Sequence, residues 1–582
     1  MTAQQLITDH LDIWTAAHKT RSTAGRGSNN KLNLHGIKKL RELILELAVR
    51  GKLVPQDASD EPASELLKKI AAEKAKLIKE GKIKKEKPLP EITDEEKPFE
   101  LPISWEWIHL AESGVASTGG TPKSADSHMF DGDIPFIGPG QISPNGKFLP
   151  AEKYLTEEGC QQSSVATAGD ILMVCIGGSI GKSLIVEQKL TFNQQINCVS
   201  PIIISSRYLN SAMNSISFQC ELLLKSTGSA TPIINRSKWE ELLIALPPLA
   251  EQHRIVAKVD ELMAFCDQLE QTQSDNIAAH AQLVEALLAA LTNSGDHFEL
   301  QNNWQRIAAH FDTLFTTEHS IDQLKQTILQ LAVMGKLVPQ NPKDEPASEL
   351  LEKIAAEKAQ LIKEGKIKKE KPLPEITDEE KPFELPSGWE WARLANISDV
   401  GTGATPSRTD SSYYDPAEVN WVTSGETSEE YIRETKEKVS WKAVKETNVS
   451  IYPVGTLIVA MYGQGKTRGQ VTELMIEAGT NQACAAIRLI EDAVHHRKYV
   501  KLFFIKAYDE LREQSAGGAQ PNLNVGKVSI TIIPLPPLAE QHRIVTKVDE
   551  LMSLCDTLKT NLQNAQTTQL ALADALVERA VG

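Results

Sequence analysis

A chain of 582 residues is too long for one core, and at ~150 residues per domain it divides into about four units. With 41% apolar and 24% charged residues the composition excludes wholesale disorder, and seven cysteines without a C-x-x-C pair fit reduced thiols better than a disulfide framework or a zinc site. The net charge of −15 argues against gripping nucleic acid by bulk electrostatics alone, and the absence of a long apolar run or a targeting signal makes the cytoplasm the expected location.

Apolar positions at Leu6, Leu11 and Trp14 predict a helix over residues 3 to 17, before a polar loop from Thr20 to Asn33. His10-Leu11-Asp12 has a faint echo in His310-Phe311-Asp312. The next helix uses Leu40, Ile44 and Leu47, matched by Leu324, Ile328 and Leu331, a narrow seam in steps of four and three. From Gly51 to Leu110 comes a block that returns from Gly335 to Leu394 with nine of sixty positions changed. Within it, Asp60 and Pro62 start a helix through Leu66, Leu67, Ile70, Ala71 and Leu77, which Gly81 stops. Lys68 to Lys87 holds nine lysines against three glutamates, so charge is local even in an acidic chain. Pro88, Pro90, Pro98 and Pro102 then enforce extended backbone, as in a segment draped over a neighbour.

From Trp105 to about Leu246 the texture changes to short apolar runs between Gly, Pro, Ser and Asn, which read as strands interrupted by a helix around Ser211 to Lys225. The segment from Trp389 to Leu535 aligns with it through STGGTP and GTGATP, DILMVCIGG and TLIVAMYGQ, and STGSATPIIN and SAGGAQPNLN. The offset creeps from 284 to 289, as it does when loops are edited around a common strand framework. Each segment closes on LPPLAEQHRIV, repeated at Leu246 to Leu262 and Leu535 to Leu551 with one change in seventeen positions. Beyond it Ile255, Val259, Leu262, Cys266 and Leu269 step by four and three, as do Ile544, Val548, Leu551, Cys555 and Leu558, a coiled-coil seam weakened midway by the polar Gln271 to Asp275. About forty residues of such helix span ~60 Å.

Catalytic motifs are scarce. Gly177 to Ser183 invites a phosphate-loop reading, but a Walker A loop needs glycine where Ile176 stands, so a tight turn after a strand is expected, with Lys182 free to face a phosphate. Leu-Pro-Pro-Leu at 246 and 535 lacks both the polar and the aromatic end of an amino-methyltransferase loop. The thirteen histidines include no H-E-x-x-H, and the EQHR histidines His253 and His542 fit solvated or capping roles. What remains is recognition. Loops at 117 to 124 and 401 to 408 carry Lys123, Ser124 and Arg408, and Lys182, Ser183, Arg236, Lys238, Lys466, Arg468 and Lys527 add donors suited to phosphates or base edges. Nine basic against twelve acidic residues in one segment, and fifteen against seventeen in the other, mean that a partner must supply positive charge if these segments touch DNA.

Two divergent segments with a G-G-S-I-G-K turn, each ending in L-P-P-L-A-E-Q-H-R-I-V before a long helix, resemble the specificity subunit of type I restriction-modification enzymes over nearly the whole chain, and the repeated IAAEKAKLIKEGKIKKEKPLPEI block resembles its B subfamily. The resemblance implies an α+β chain: two mixed α/β target recognition domains separated by long antiparallel coiled-coil helices, in an internal pseudo-twofold repeat. The boundaries it suggests are 1–104 and 296–388 for helical regions and docking blocks, 105–249 and 389–538 for target recognition domains, and 250–295 and 539–582 for spacer helices. Each domain would read half of a split DNA site, the seam at Ile255, Val259, Leu262, Leu269, Ile544, Val548, Leu551 and Leu558 would set the gap, and catalysis would lie elsewhere. Expected partners are double-stranded DNA, two methyltransferase subunits and two motor-nuclease subunits, with S-adenosylmethionine, ATP and magnesium on those partners, no cofactor or metal on this chain, and no membrane. Two rivals stay open: a fused enzyme, and a structural adaptor holding two protein ligands without DNA.

Overall fold

The computed structural model describes residues 3–20, 32–85, 88–123, 126–228, 231–369, 372–463, 466–516 and 523–581. Two compact units of like construction emerge, one of Met1–Ile277 with Asn564–Gly582 and the other of Ala278–Gln563. Each joins a helical frame to a mixed α/β domain.

In the first unit a four-stranded antiparallel sheet runs in the order Gly114–Thr118, Ile196–Pro201, Ile171–Val174, Ser183–Ile185. Strand Ile171–Val174 is buried at every position because alternate side chains serve two cores. Ile171 and Met173 join the cluster of the frame, whereas Leu172 and Val174 pack with Ile137, Leu190 and Phe192 of a second sheet. That sheet runs Lys153–Leu155, Ile134–Ile137, Leu190–Phe192, Ser164–Ala166, with its central pair parallel. The second unit repeats both sheets in the same order. Ser398–Thr402, Cys484–Leu489, Leu457–Ala460 and Val471–Leu474 form the first, extended by Tyr431–Ile432, and Glu437–Val439, Val419–Val422, Ala478–Thr480 and Ile451–Tyr452 the other. Its buried strand splits the same way, with Leu457 and Val459 toward the frame and Ile458 toward the second sheet. In both units a two-stranded ladder, Glu106–His109 with Leu243–Leu246 and Glu390–Arg393 with Ile532–Leu535, brings the entry and exit of the domain side by side.

The predicted helix around Ser211 to Lys225 is two helices, Ser206–Met213 and Ile216–Lys225, because the Ser215 hydroxyl caps the second by accepting from the Phe218 amide at 3.3 Å. The predicted opening helix is likewise split into Ala3–Thr8 and Leu11–Ala16. Most of the polar loop before His35 lies outside the described residues.

The long helices are Leu249–Asn293 and Leu538–Val581. Their seam positions Ile255, Val259, Leu262, Ile544 and Val548 are buried, with Leu269, Leu551 and Leu558 partly so. The groove they fill belongs to the frame helix of the same copy. In the first unit Ile255, Val259, Leu262 and Cys266 share a core with Leu40, Leu43, Ile44 and Leu47 of His35–Val49, and Arg41 bridges to Asp267 at 2.6 Å and Glu270 at 3.0 Å. In the second, Ile544, Val548 and Cys555 share one with Leu324, Ile328 and Leu331 of Glu318–Val333, and Lys559 bridges to Asp322 at 2.9 Å. Each unit's core also takes in the last turns of a long helix that fall within that unit. Ala573 and Val577 enter the first core, where Asp574 meets His35 at 3.1 Å, and Val284, Leu288 and Leu291 enter the second.

Candidate nucleic-acid interface

Several loops of the first domain converge at one end of its sheets. Gly119 follows strand Gly114–Thr118 and lies so close to the end of Leu190–Phe192 that an added Cβ would sit 2.1 Å from the Asn193 carbonyl oxygen. The Gly120 amide donates to the Phe192 carbonyl at 3.0 Å, and the Thr121 hydroxyl donates to Gln194 Oε1 at 2.6 Å. Asn193 folds its own turn, its Oδ1 accepting from the Gln195 amide at 3.0 Å. The Gln195 carbonyl in turn accepts from the Cys175 amide at 2.8 Å, which places the Gly177 to Gly181 turn beside this loop. That turn is the tight hairpin expected from the sequence, and Ile176 bridges to Ile233 in the segment that leads to Arg236. Burial holds the Cys175 thiol at about 12, so it is an inert support here.

The second domain rebuilds the arrangement in different residues. An added Cβ at Gly403 would sit 1.5 Å from the Thr480 carbonyl oxygen, and the Thr405 hydroxyl donates to Gln482 Oε1. Asn481 Oδ1 accepts from the Ala483 amide at 3.0 Å, and the Ala483 carbonyl accepts from the Met461 amide at 2.7 Å. Gln194 and Gln482 are both exposed. They were not among the residues singled out from sequence, although the shared Asn-Gln at 193 and 481, in otherwise drifted text, carries the signal.

The donors named from the sequence differ in setting. Lys123, Lys238 and Lys466 are exposed. Lys238 and Lys527 occupy matching places, each amide donating to a capping asparagine, Asn235 at 2.9 Å and Asn524 at 2.8 Å. Arg236 is paired with Glu240 at 2.5 Å, and Arg408 with Glu437 at 2.7 Å while stacking over Tyr414. Lys182 donates to the Ile142 carbonyl at 3.4 Å, Arg468 is half-buried with its carbonyl accepting from Arg512, and Lys527 is half-buried. Ser183 is 3% exposed and is held between Asn210 at 2.7 Å and Asn214 at 2.6 Å, so it braces the hairpin from inside. Ser124 lies outside the described residues. Thr121, two residues before Lys123, bonds Gln194, whereas Lys182 turns toward the Ile142 loop.

Away from these loops, the LPPLAEQHR motif locks each domain to its frame. Glu251 and Glu540 are buried, and burial pushes both carboxyls up. Glu251 accepts from Trp105 Nε1 at 2.9 Å and from Gln56 Nε2 at 2.6 Å, and Glu540 accepts from Trp389 Nε1 at 3.1 Å and from Gln340 Nε2 at 3.2 Å. Gln252 Nε2 donates to the Pro247 carbonyl and Gln541 Nε2 to that of Pro536. Arg254 pairs with Asp60 at 2.5 Å and Arg543 with Asp344 at 2.7 Å. His253 and His542 point outward. The proline-rich segment is draped over its own domain. His109 contacts the Pro90 carbonyl at 3.0 Å, and Arg393 donates to those of Pro374 and Glu375 at 2.8 and 3.0 Å. Beside it in the second unit lies a groove of ≈ 830 Å³ lined by Leu351, Ala355, Ile362, Leu373 and Ile376.

Among the described residues no group of three or more His, Cys, Asp or Glu could hold a metal, and no helix is long and apolar enough to cross a membrane. Two stretches, 102–279 and 386–566, match the family described as the type I restriction modification DNA specificity domain. The chain is 43% identical over 612 residues to the EcoAI specificity subunit of an Escherichia coli type I restriction enzyme and 42% identical to that of EcoEI, with all of each chain covered. A solved chain, described in a study of complex assembly and conformational transition of the type I R-M system, superposes with a TM-score of 0.50 at 16% identity. It covers 83% of this chain and 99% of its own, a likeness of fold.

Proposed function

Because this chain belongs to the specificity subunits of type I restriction-modification enzymes, we propose that its two mixed domains each read one half of a bipartite, asymmetric DNA target. The observation that carries the reading is the pairing of two equal folds with unequal loops. The sheets share one strand order, while the residues around Lys123, Arg408 and Lys466 differ, as dissimilar half-sites require.

The frames take the opposite role. Helices Ala63–Lys79 and Ala347–Lys363 bury corresponding residues, Ala63, Leu66 and Ile70 in one and Ala347, Leu350 and Ile354 in the other, and present nearly the same outer surface twice. Two copies of one surface suit two copies of one partner, here two methyltransferase subunits, with two motor-nuclease subunits joining them. S-adenosylmethionine, ATP and magnesium belong to those partners in this reading. This chain supplies recognition and no catalysis, and works in the cytoplasm without a membrane. The acidic net charge gives the partners the task of supplying the cationic grip on phosphate.

The test is reconstitution of the full chain with its methyltransferase subunits, followed by mapping of methylated adenines. A split motif, bound only when the methyltransferase is present, supports the proposal. Protein ligands competing at the two mixed domains with no DNA retained support the adaptor reading instead, and methylation by the chain alone supports the fused enzyme. Inserting one heptad after Gln271, with its counterpart in the second long helix, should lengthen the unread gap and leave both half-sites unchanged. An unaltered gap would remove the spacer role.

A further inference from the structure

The loop element built twice, around Thr121 and Gln194 and around Thr405 and Gln482, is kept while the loops around it drift. The flanking loops have changed length and charge, yet the glycine without room for a Cβ, the Thr-Pro step, the asparagine turn and the exposed glutamine recur with the same bonds. We propose that Gln194 and Gln482 are matched phosphate anchors, each donating its side-chain amide to the DNA backbone independently of sequence. The proposal rests on the DNA-reading function above and adds to it a contact that neither half-site specifies.

The chemistry follows from how the amide is held. In each copy the threonine hydroxyl donates to the glutamine Oε1, turning that oxygen back toward the loop and leaving Nε2 as an outward donor. Bidentate reading of adenine uses the amide oxygen and nitrogen side by side, an arrangement this orientation disfavours. An outward donor needs an acceptor, and the acceptor that every duplex offers at every step is a phosphate oxygen. A surface threonine–glutamine bond adds little to stability by itself, since water competes for both groups. The glycines and asparagine turns already fix the backbone. What the pair contributes is a direction for one N–H donor. Two domains that read different bases have reason to share that donor only if its acceptor is common to both targets. Because the amide is neutral, it sets register without adding long-range attraction, consistent with domains in which acidic residues outnumber basic ones.

The experiment uses the full chain assembled with its methyltransferase subunits and duplexes carrying the mapped site or scrambled sequence. Gln194→Ala and Gln482→Ala should each weaken binding roughly tenfold on both duplexes, leave the slope of affinity against salt unchanged, and leave the methylated motif unchanged. Gln194→Glu and Gln482→Glu keep the shape and the threonine bond but aim a carboxylate at the phosphate, and should weaken binding further. Replacing phosphodiesters one at a time by neutral methylphosphonate should reveal one position per half-site that weakens the wild type but not the matching alanine variant. Relaxation of a single base in the motif, or wild-type affinity in all four variants with unchanged unfolding midpoints, overturns the anchor alone. A wild-type complex that binds neither duplex overturns the specificity reading and the anchor with it.

Discussion

Glu251 and Glu540 show how far a charged residue can be drawn inside when donors wait for it. Each lies near the start of a long helix, where helical periodicity alone gives no reason to bury a carboxylate, and each is 1% exposed. The donors come from distant sequence, Gln56 and Trp105 in one copy and Gln340 and Trp389 in the other. Truncation to alanine would orphan a buried indole N–H, so Glu251→Ala and Glu540→Ala should each cost about 1–3 kcal/mol in denaturant unfolding. His496 supplies a pH-dependent counterpart. Its Nδ1 bonds Gln541 Oε1 at 2.9 Å, burial holds its pKa below the ordinary value, and Nε2 is buried without a partner among the described residues. The neutral ring is the folded form, so its stability contribution is complete above about pH 6.5 and is lost as pH falls below that, by at most about 1.4 kcal/mol per unit. In His496→Asn, whose amide can replace the Nδ1 donor, thermal unfolding should depend less on pH between 7 and 5.5. A slope equal to that of the wild type would count against this account. The sequence shows that EQHR is repeated and leaves its histidines to solvent, as the structure does. It does not show that Glu and Gln turn inward, because that depends on tryptophans more than a hundred residues away. Ser183 is a similar case: the Gly-Lys-Ser text suggests a phosphate contact, and only the packing of Asn210 and Asn214 reveals a brace.

At the scale of elements, strands were legible where apolar runs ended in turn residues, and Ile171–Val174 and Leu457–Ala460 fall where DILMV and TLIVA predict. Periodicity also showed that the long helices carry a buried seam. It could not name what fills the seam, since a groove spaced by four and three accepts any helix of matching ridges. The frame helices His35–Val49 and Glu318–Val333 occupy it, each from the same copy. The helix ends are further partners that no local pattern announces. Removing residues 564–581 should uncover the flank of the His35–Val49 helix where His35 and Lys39 meet Asp574, while leaving the core around Ile321 and Leu324 intact. Limited proteolysis should then cut the first unit first, and equal resistance in both units would contradict the assignment of Ala573 and Val577 to the first core.

At the scale of the whole molecule, the repeat announced the plan before any element was placed. Two nearly identical frames and two drifted inserts implied one fold used twice, and the matching strand orders of the two domains agree. What the sequence withheld was the surface of the inserts, where contact depends on loops such as Gly119–Pro122 and Asn193–Gln195 arriving side by side from separate places in the chain. Replacing Trp105 to Leu246 with the corresponding segment of a relative should change one half of the methylated motif and leave the other half and the gap alone, as read by mapping modified adenines. The helix ends also set a timetable. Asp574, which meets His35, lies 539 residues further along the chain. At ~5–20 residues per second the ribosome needs roughly half a minute to two minutes to deliver it. Throughout that interval the frame helix made first has an apolar flank open to chaperones and to other nascent chains, so the first unit to begin folding is among the last to finish.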